Sequence, residues 1–120
     1  MNDQLKLRTK QLALRIIRLV AALPTDVAGQ VIGRQLLRCG TSVGANYRAA
    51  SRAKSTADMI NKLKIVEEET DESLYWLELL VDSQLVPEAR LADLMVEVNG
   101  VLAMTVASIK TLRKRAANNE

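Results

Sequence analysis

The chain alternates between long stretches with apolar residues at three- and four-residue spacing and short polar breaks built on proline, serine and aspartate. Leu5, Leu12, Ile16, Leu19 and Leu23 form the first seam, a heptad-like helical pattern. Pro24, Thr25 and Asp26 interrupt it and offer a cap for the next helix. There Ile32, Leu36, Cys39, Val43 and Ala50 share one face. Ser55 opens a third helix, with Asp58 in the position where a capping box usually carries Glu or Gln. Its core stripe is Met59, Leu63, Val66, Thr70, Leu77 and Leu80. Pro87 suits the first position of a fourth helix, in which Leu91, Leu94, Val98, Leu102, Thr105, Ile109 and Leu112 step by three and four. The pattern predicts helices over 3–23, 27–52, 56–83 and 87–114, with a polar tail over 113–120 that frays.

Breaks this short force neighbouring helices to run antiparallel. A helix of about 25 residues spans about 38 Å. The expected fold is all-α: one domain over residues 1–120, an antiparallel up-down-up-down four-helix bundle that assembles into a homo-oligomer.

Composition agrees with helices and removes most chemistry. The 120 residues include only Tyr47, Tyr75 and Trp76 as aromatics, and no Phe, so strand-favouring residues are scarce. Histidine is absent, which excludes His-based triads, proton shuttles and zinc sites. The single Cys39 allows no intramolecular disulfide and fits a reducing compartment. The expectation is a cytoplasmic protein that is not an enzyme and carries no metal or cofactor. The longest uncharged stretch, Val98 to Ile109, falls short of the roughly 18 residues needed to cross a membrane. The first 18 residues are charged every few positions and lack a signal-peptide pattern, so no membrane association is expected.

The net charge of +3 hides a division along the chain. Residues 1–65 hold 12 basic and 3 acidic residues; residues 66–109 hold 1 basic and 10 acidic; residues 110–120 hold 4 basic and 1 acidic. Such a split serves a polyanion on one side of the molecule, or neutralises itself. The basic part is concentrated in one row. At roughly 100° per residue, Arg34, Arg38, Arg48 and Arg52 fall within about 80° of one another, opposite the core stripe. The row is about 27 Å long by helix rise. Guanidinium forks suit phosphate, and a row without base-reading aromatics binds backbone more than sequence. Lys110, Arg113 and Lys114 form a second candidate contact. Equally, the arginines can be a solvated or ion-paired face, and Glu67, Asp71, Glu78 and Asp82 on the third helix can pair with basic residues on a neighbouring helix or a neighbouring subunit; a catalytic-carboxylate role for them has no second polar cluster or metal-ligand spacing behind it.

Two further features concern assembly. Tyr75, Trp76 and Leu79 project away from the predicted core of the third helix and read as an oligomer interface, with Val101 and Met104 widening the apolar face of the fourth. The competing arrangement rotates the third helix so that Trp76 is core. Gly40, Thr41, Ser42, Gly44 and Asn46 form a small-residue segment in mid-helix, which reads as a close helix crossing or kink, or as bare backbone that receives a ligand. It is not a phosphate loop, because no Gly-Lys-Ser/Thr follows.

The run from Gln35 to Ser55, centred on Arg38-Cys-Gly-Thr-Ser-Val-Gly-Ala-Asn46 and followed by Asp58 to Leu63 and Tyr75 to Leu80, resembles the four-helix-bundle proteins encoded in ribosomal-RNA intervening sequences. That family includes the accessory variability determinant (Avd) proteins of diversity-generating retroelements. The resemblance spans nearly the whole chain. It implies a homopentameric barrel, and Avd-type members associate with a reverse transcriptase and bind RNA or DNA through basic surfaces. Arg38, Thr41, Ser42 and Asn46 match the motif, and Arg48 and Arg52 fall in the basic segment after it. Where many members carry an acidic residue after the Asn, this chain has Ala49-Ala50. The expected function is a non-catalytic oligomeric scaffold that binds nucleic acid. The alternative is a protein-interaction scaffold whose arginines are used in inter-subunit ion pairs.

Overall fold

The computed structural model describes residues 3–118, and every regular element among them is helical. Helix α1 spans Asp3–Ala21, α2 Val27–Ser51, α3 Thr56–Asp82 and α4 Glu88–Asn118. The boundaries follow local chemistry. The Asp26 side chain accepts a hydrogen bond from Gly29 N at 2.8 Å and caps α2. Ser55 accepts from Asp58 N at 3.1 Å and caps α3, while Asp58 accepts in turn from Lys54 N, one residue before the cap.

The turn after α3 is a Schellman motif. Leu85 N donates to Leu80 O at 3.1 Å, and Gln84 N to Val81 O at 3.0 Å. Gln84 sits at φ 63°, the left-handed region where glycine is usual. Val86, just beyond, is buried and anchors the turn to the core.

The helices pack in chain order, α1 on α2, α2 on α3 and α3 on α4, with a sparser α4–α1 seam closing the ring. The bundle measures 54 × 21 × 20 Å. Its core runs the length of the long axis and includes Leu12, Ile16, Leu36, Val43, Leu63, Leu77 and Val98. Four hydroxyl residues, Thr9, Thr70, Ser73 and Thr105, are also buried. Each donates to a carbonyl of its own helix, so burial leaves no donor orphaned.

Three local expectations change. The last helix does not fray at Arg113 but continues to Asn118; residues 119–120 of the expected tail lie outside the described residues. Val101 is fully buried in the protomer, and Tyr47, in step with Val43 and Ala50 on α2, is one of the largest buried side chains. Helix α4 is also long and apolar enough to cross a membrane by length and composition. Its apolar residues include the bundle-core positions Leu91, Leu94, Val98, Val101 and Ile109.

Candidate nucleic-acid interface

The small residues of α2 determine how closely α1 approaches. A Cβ on Gly33 would lie 3.2 Å from Leu23 Cδ1, and one on Gly44 would lie 3.2 Å from the carbonyl oxygen of Thr9. On Gly40 it would overlap the Ile16 side chain. The glycines therefore face α1 and let its backbone sit against theirs. Thr41 and Ser42 donate to the carbonyls of Leu37 and Arg38, and Asn46 Nδ2 donates to Ser42 O at 2.9 Å. These polar groups are satisfied within α2.

The close crossing produces a groove. Lys6, Lys10 and Ala13 of α1 and Thr41, Gly44, Ala45 and Arg48 of α2 line a hollow of about 270 Å³. Its floor is small, its rim carries three cations, and none of its lining residues is acidic. Lys6 and Lys10 are one helical turn apart, so both ammonium groups can reach the same strip. Arg34 stands farther along the same pair of helices, beside a hollow formed with Val20, Leu23 and Pro24.

The row of arginines seen in the sequence thus divides between two neighbours. Arg38 leans over α3, where its guanidinium meets Glu69 at 3.3 Å and also contacts Glu72. Its Nε donates to Gln35 Oε1 at 3.3 Å. The acids that hold it are Glu69 and Glu72, not Glu67, Asp71, Glu78 or Asp82. The α2–α3 register, set where Cys39 meets Ser73 Oγ at 3.2 Å, brings Glu69 and Glu72 level with Arg38. Arg34, Arg48 and Arg52 are exposed and make no ion pair among the described residues.

Glu72 also accepts from Trp76 Nε1 at 3.0 Å. Trp76 is half-buried against the edge of the core, which corrects the expectation that it projects wholly outward. Tyr75 is 53% exposed and meets Trp76 edge-on, with ring centroids 5.2 Å apart. Leu79 is half-buried on the same helix. Met104 is half-buried too and accepts a contact from Arg8 Nη1 at 2.9 Å, so it belongs to the α1–α4 seam.

The antiparallel order turns the blockwise charge of the sequence into a spatial one. The start of α1, the end of α2, the start of α3 and the end of α4 share one end of the bundle. Lys6, Arg48, Arg52, Lys54, Lys62, Lys110, Arg113, Lys114 and Arg115 are carried there. Glu78, Asp82, Glu88 and Asp93 lie toward the opposite end. The α1–α2 groove lies toward the end where most of these cations gather. Lys6 and Lys10 join the site only through the α1–α2 register, which no local sequence signal gives. Their four-residue spacing places both on one stripe of α1, the first of them one turn beyond Asp3.

Comparison with known proteins agrees with this architecture. No curated protein matches the chain. Among solved structures, a protein of unknown function from the S23 ribosomal protein family of Bacteroides thetaiotaomicron superposes with a TM-score of 0.83. It is 35% identical, and the match covers 88% of this chain and 98% of that one. The sequence model of the 23S rRNA-intervening sequence proteins matches residues 3–107. The four-helix chain belongs to the 23S rRNA-intervening sequence protein family.

Proposed function

We propose that the protein is a non-catalytic, oligomeric scaffold that binds RNA or DNA phosphates through its α1–α2 face and basic end. The observation that carries this reading is the groove in which Lys6, Lys10 and Arg48 converge without a carboxylate. Ammonium and guanidinium groups that make no ion pair among the described residues, set on a shared strip, suit successive phosphates of one backbone. Arg34, Arg52, Lys110, Arg113 and Lys114 extend the same field. The family resemblance supports a homopentamer, in which five copies of a modest site give avidity. It also supports a reverse transcriptase as a partner, in the manner of the Avd proteins.

The test is fluorescence anisotropy with labelled RNA and DNA, comparing wild type with a Lys6→Gln/Lys10→Gln/Arg48→Gln variant. Loss of binding in the variant is expected. Unchanged binding would move the contact away from the groove.

A second reading has one observation in its favour. Arg38 is already held by Glu69 and Glu72 within its own protomer. If Arg34, Arg48 and Arg52 find carboxylates on a neighbouring copy, the protein is an interaction scaffold without nucleic acid. In that case the triple variant loosens the assembly, and wild type binds no nucleic acid even at low salt.

A further inference from the structure

The basic end holds a second concavity of different chemistry. Tyr47 of α2, Met59 of α3, and Ala107, Thr111, Leu112 and Arg115 of α4 line a cleft of about 400 Å³. It exists because α4 continues to Asn118, while Arg8 of α1 already stands level with Glu97 and Met104. Among the described residues, the last turns of α4 therefore run past the start of α1 and leave a concavity at that corner. Tyr47 is 1% exposed and closes the bottom. Met59 and Leu112 give apolar walls, and Thr111 and Arg115 stand at the exposed rim.

We propose that this cleft receives one unpaired nucleobase, so that the basic end prefers single-stranded nucleic acid to duplex. The inference rests on the nucleic-acid reading above and specifies which form of nucleic acid is bound. The volume lies toward the lower end of small-ligand pockets, roughly 300–1,000 Å³, and admits one planar base with part of its sugar. A thioether and a leucine suit an aromatic face. A guanidinium at the rim can stack on the base or bond its edge, and a hydroxyl beside it can donate or accept. The cleft adjoins the phosphate groove in sequence: Tyr47 turns inward to its floor and Arg48, the next residue, turns outward to the groove. A strand held by Lys6, Lys10 and Arg48 would thus have bases within reach of the cleft. Bases paired inside a duplex cannot enter it.

The test compares a labelled oligothymidylate with a hairpin duplex of equal phosphate number, at equal salt, by anisotropy. Wild type is expected to bind the single strand more tightly by about 5-fold, the lower end of what stacking one base contributes. Ala107→Trp fills the cleft from an exposed position, and Thr111→Phe fills it from another; circular dichroism checks that both stay folded. Each is expected to bring single-strand affinity down to the duplex level without changing duplex affinity. Equal binding of the two forms by wild type, or a preference that survives both substitutions, overturns the cleft and leaves the phosphate groove standing. Binding of neither form overturns both.

Discussion

Arg8 and Glu97 form a two-pronged ion pair across the sparsest seam of the bundle, with Nε to Oε2 at 3.1 Å and Nη2 to Oε1 at 2.7 Å. Gly100 lies beneath: a Cβ there would stand 3.2 Å from Arg8 Nη2. The guanidinium thus occupies space that the glycine leaves, and it ties α1 to α4 across their sparser seam. Hydrogen bonding from Arg8 holds the Glu97 carboxyl below its usual range, and Arg8 is raised in turn.

A carboxyl depressed in the folded state stabilises above its unfolded pKa, near 4.3, and loses that contribution as pH falls through the folded value. Glu97→Gln is expected to lower unfolding free energy at pH 7 by about 1–2 kcal/mol. Urea denaturation at pH 7 and near pH 3 checks both size and sign. The difference from wild type should shrink on acidification, and a difference that grows would contradict the assignment.

The Schellman turn makes a prediction of opposite sign. Gln84 occupies a left-handed conformation at φ 63°, which costs a side-chain-bearing residue about 1 kcal/mol or more. Gln84→Gly should raise stability by about 0.5–1 kcal/mol, after the greater chain entropy of glycine in the unfolded state is counted. A thermal melt reads this as an upward shift of a few degrees. A downward shift would mean that the Gln84 side chain supports the turn.

Most of the fold was legible because its signals are local. Asp26, Ser55 and Pro87 mark helix starts through capping and proline chemistry, and the apolar period gives the faces. Helix angle alone does not say which neighbour a side chain leans toward. Arg38 and Arg48 lie on the same broad face of α2, yet one joins α3 acids and the other an α1 groove. Val101 and Trp76 lay near the edges of their stripes, where a small rotation decides between core and surface. Tyr47 lies four residues after Val43 and three before Ala50, so the apolar period itself carries it into the core, where its ring is buried.

The outer face of α3 bears on assembly. Tyr75 is exposed, whereas Trp76 packs at the core edge, so Tyr75 is the cleaner probe of association. Tyr75→Ser should change protomer stability by less than about 1 kcal/mol, as surface substitutions usually do. Trp76→Ala should cost about 2–3 kcal/mol through lost burial. If this face joins protomers, sedimentation velocity of Tyr75→Ser will show a smaller species than wild type at equal concentration. Unchanged sedimentation would place the contact on another face.

The most direct measurement of the central claim is the salt dependence of nucleic-acid binding. Each phosphate neutralised releases condensed counterions, so log K against log[salt] has a slope of roughly 0.7–0.9 per contact. Replacing Lys6, Lys10 and Arg48 with Gln should reduce that slope by roughly 2–3. Replacing Arg38 with Gln, whose guanidinium is held by Glu69 and Glu72, should leave it nearly unchanged. A triple variant with the wild-type slope, or an Arg38 variant with the larger loss, would contradict the account.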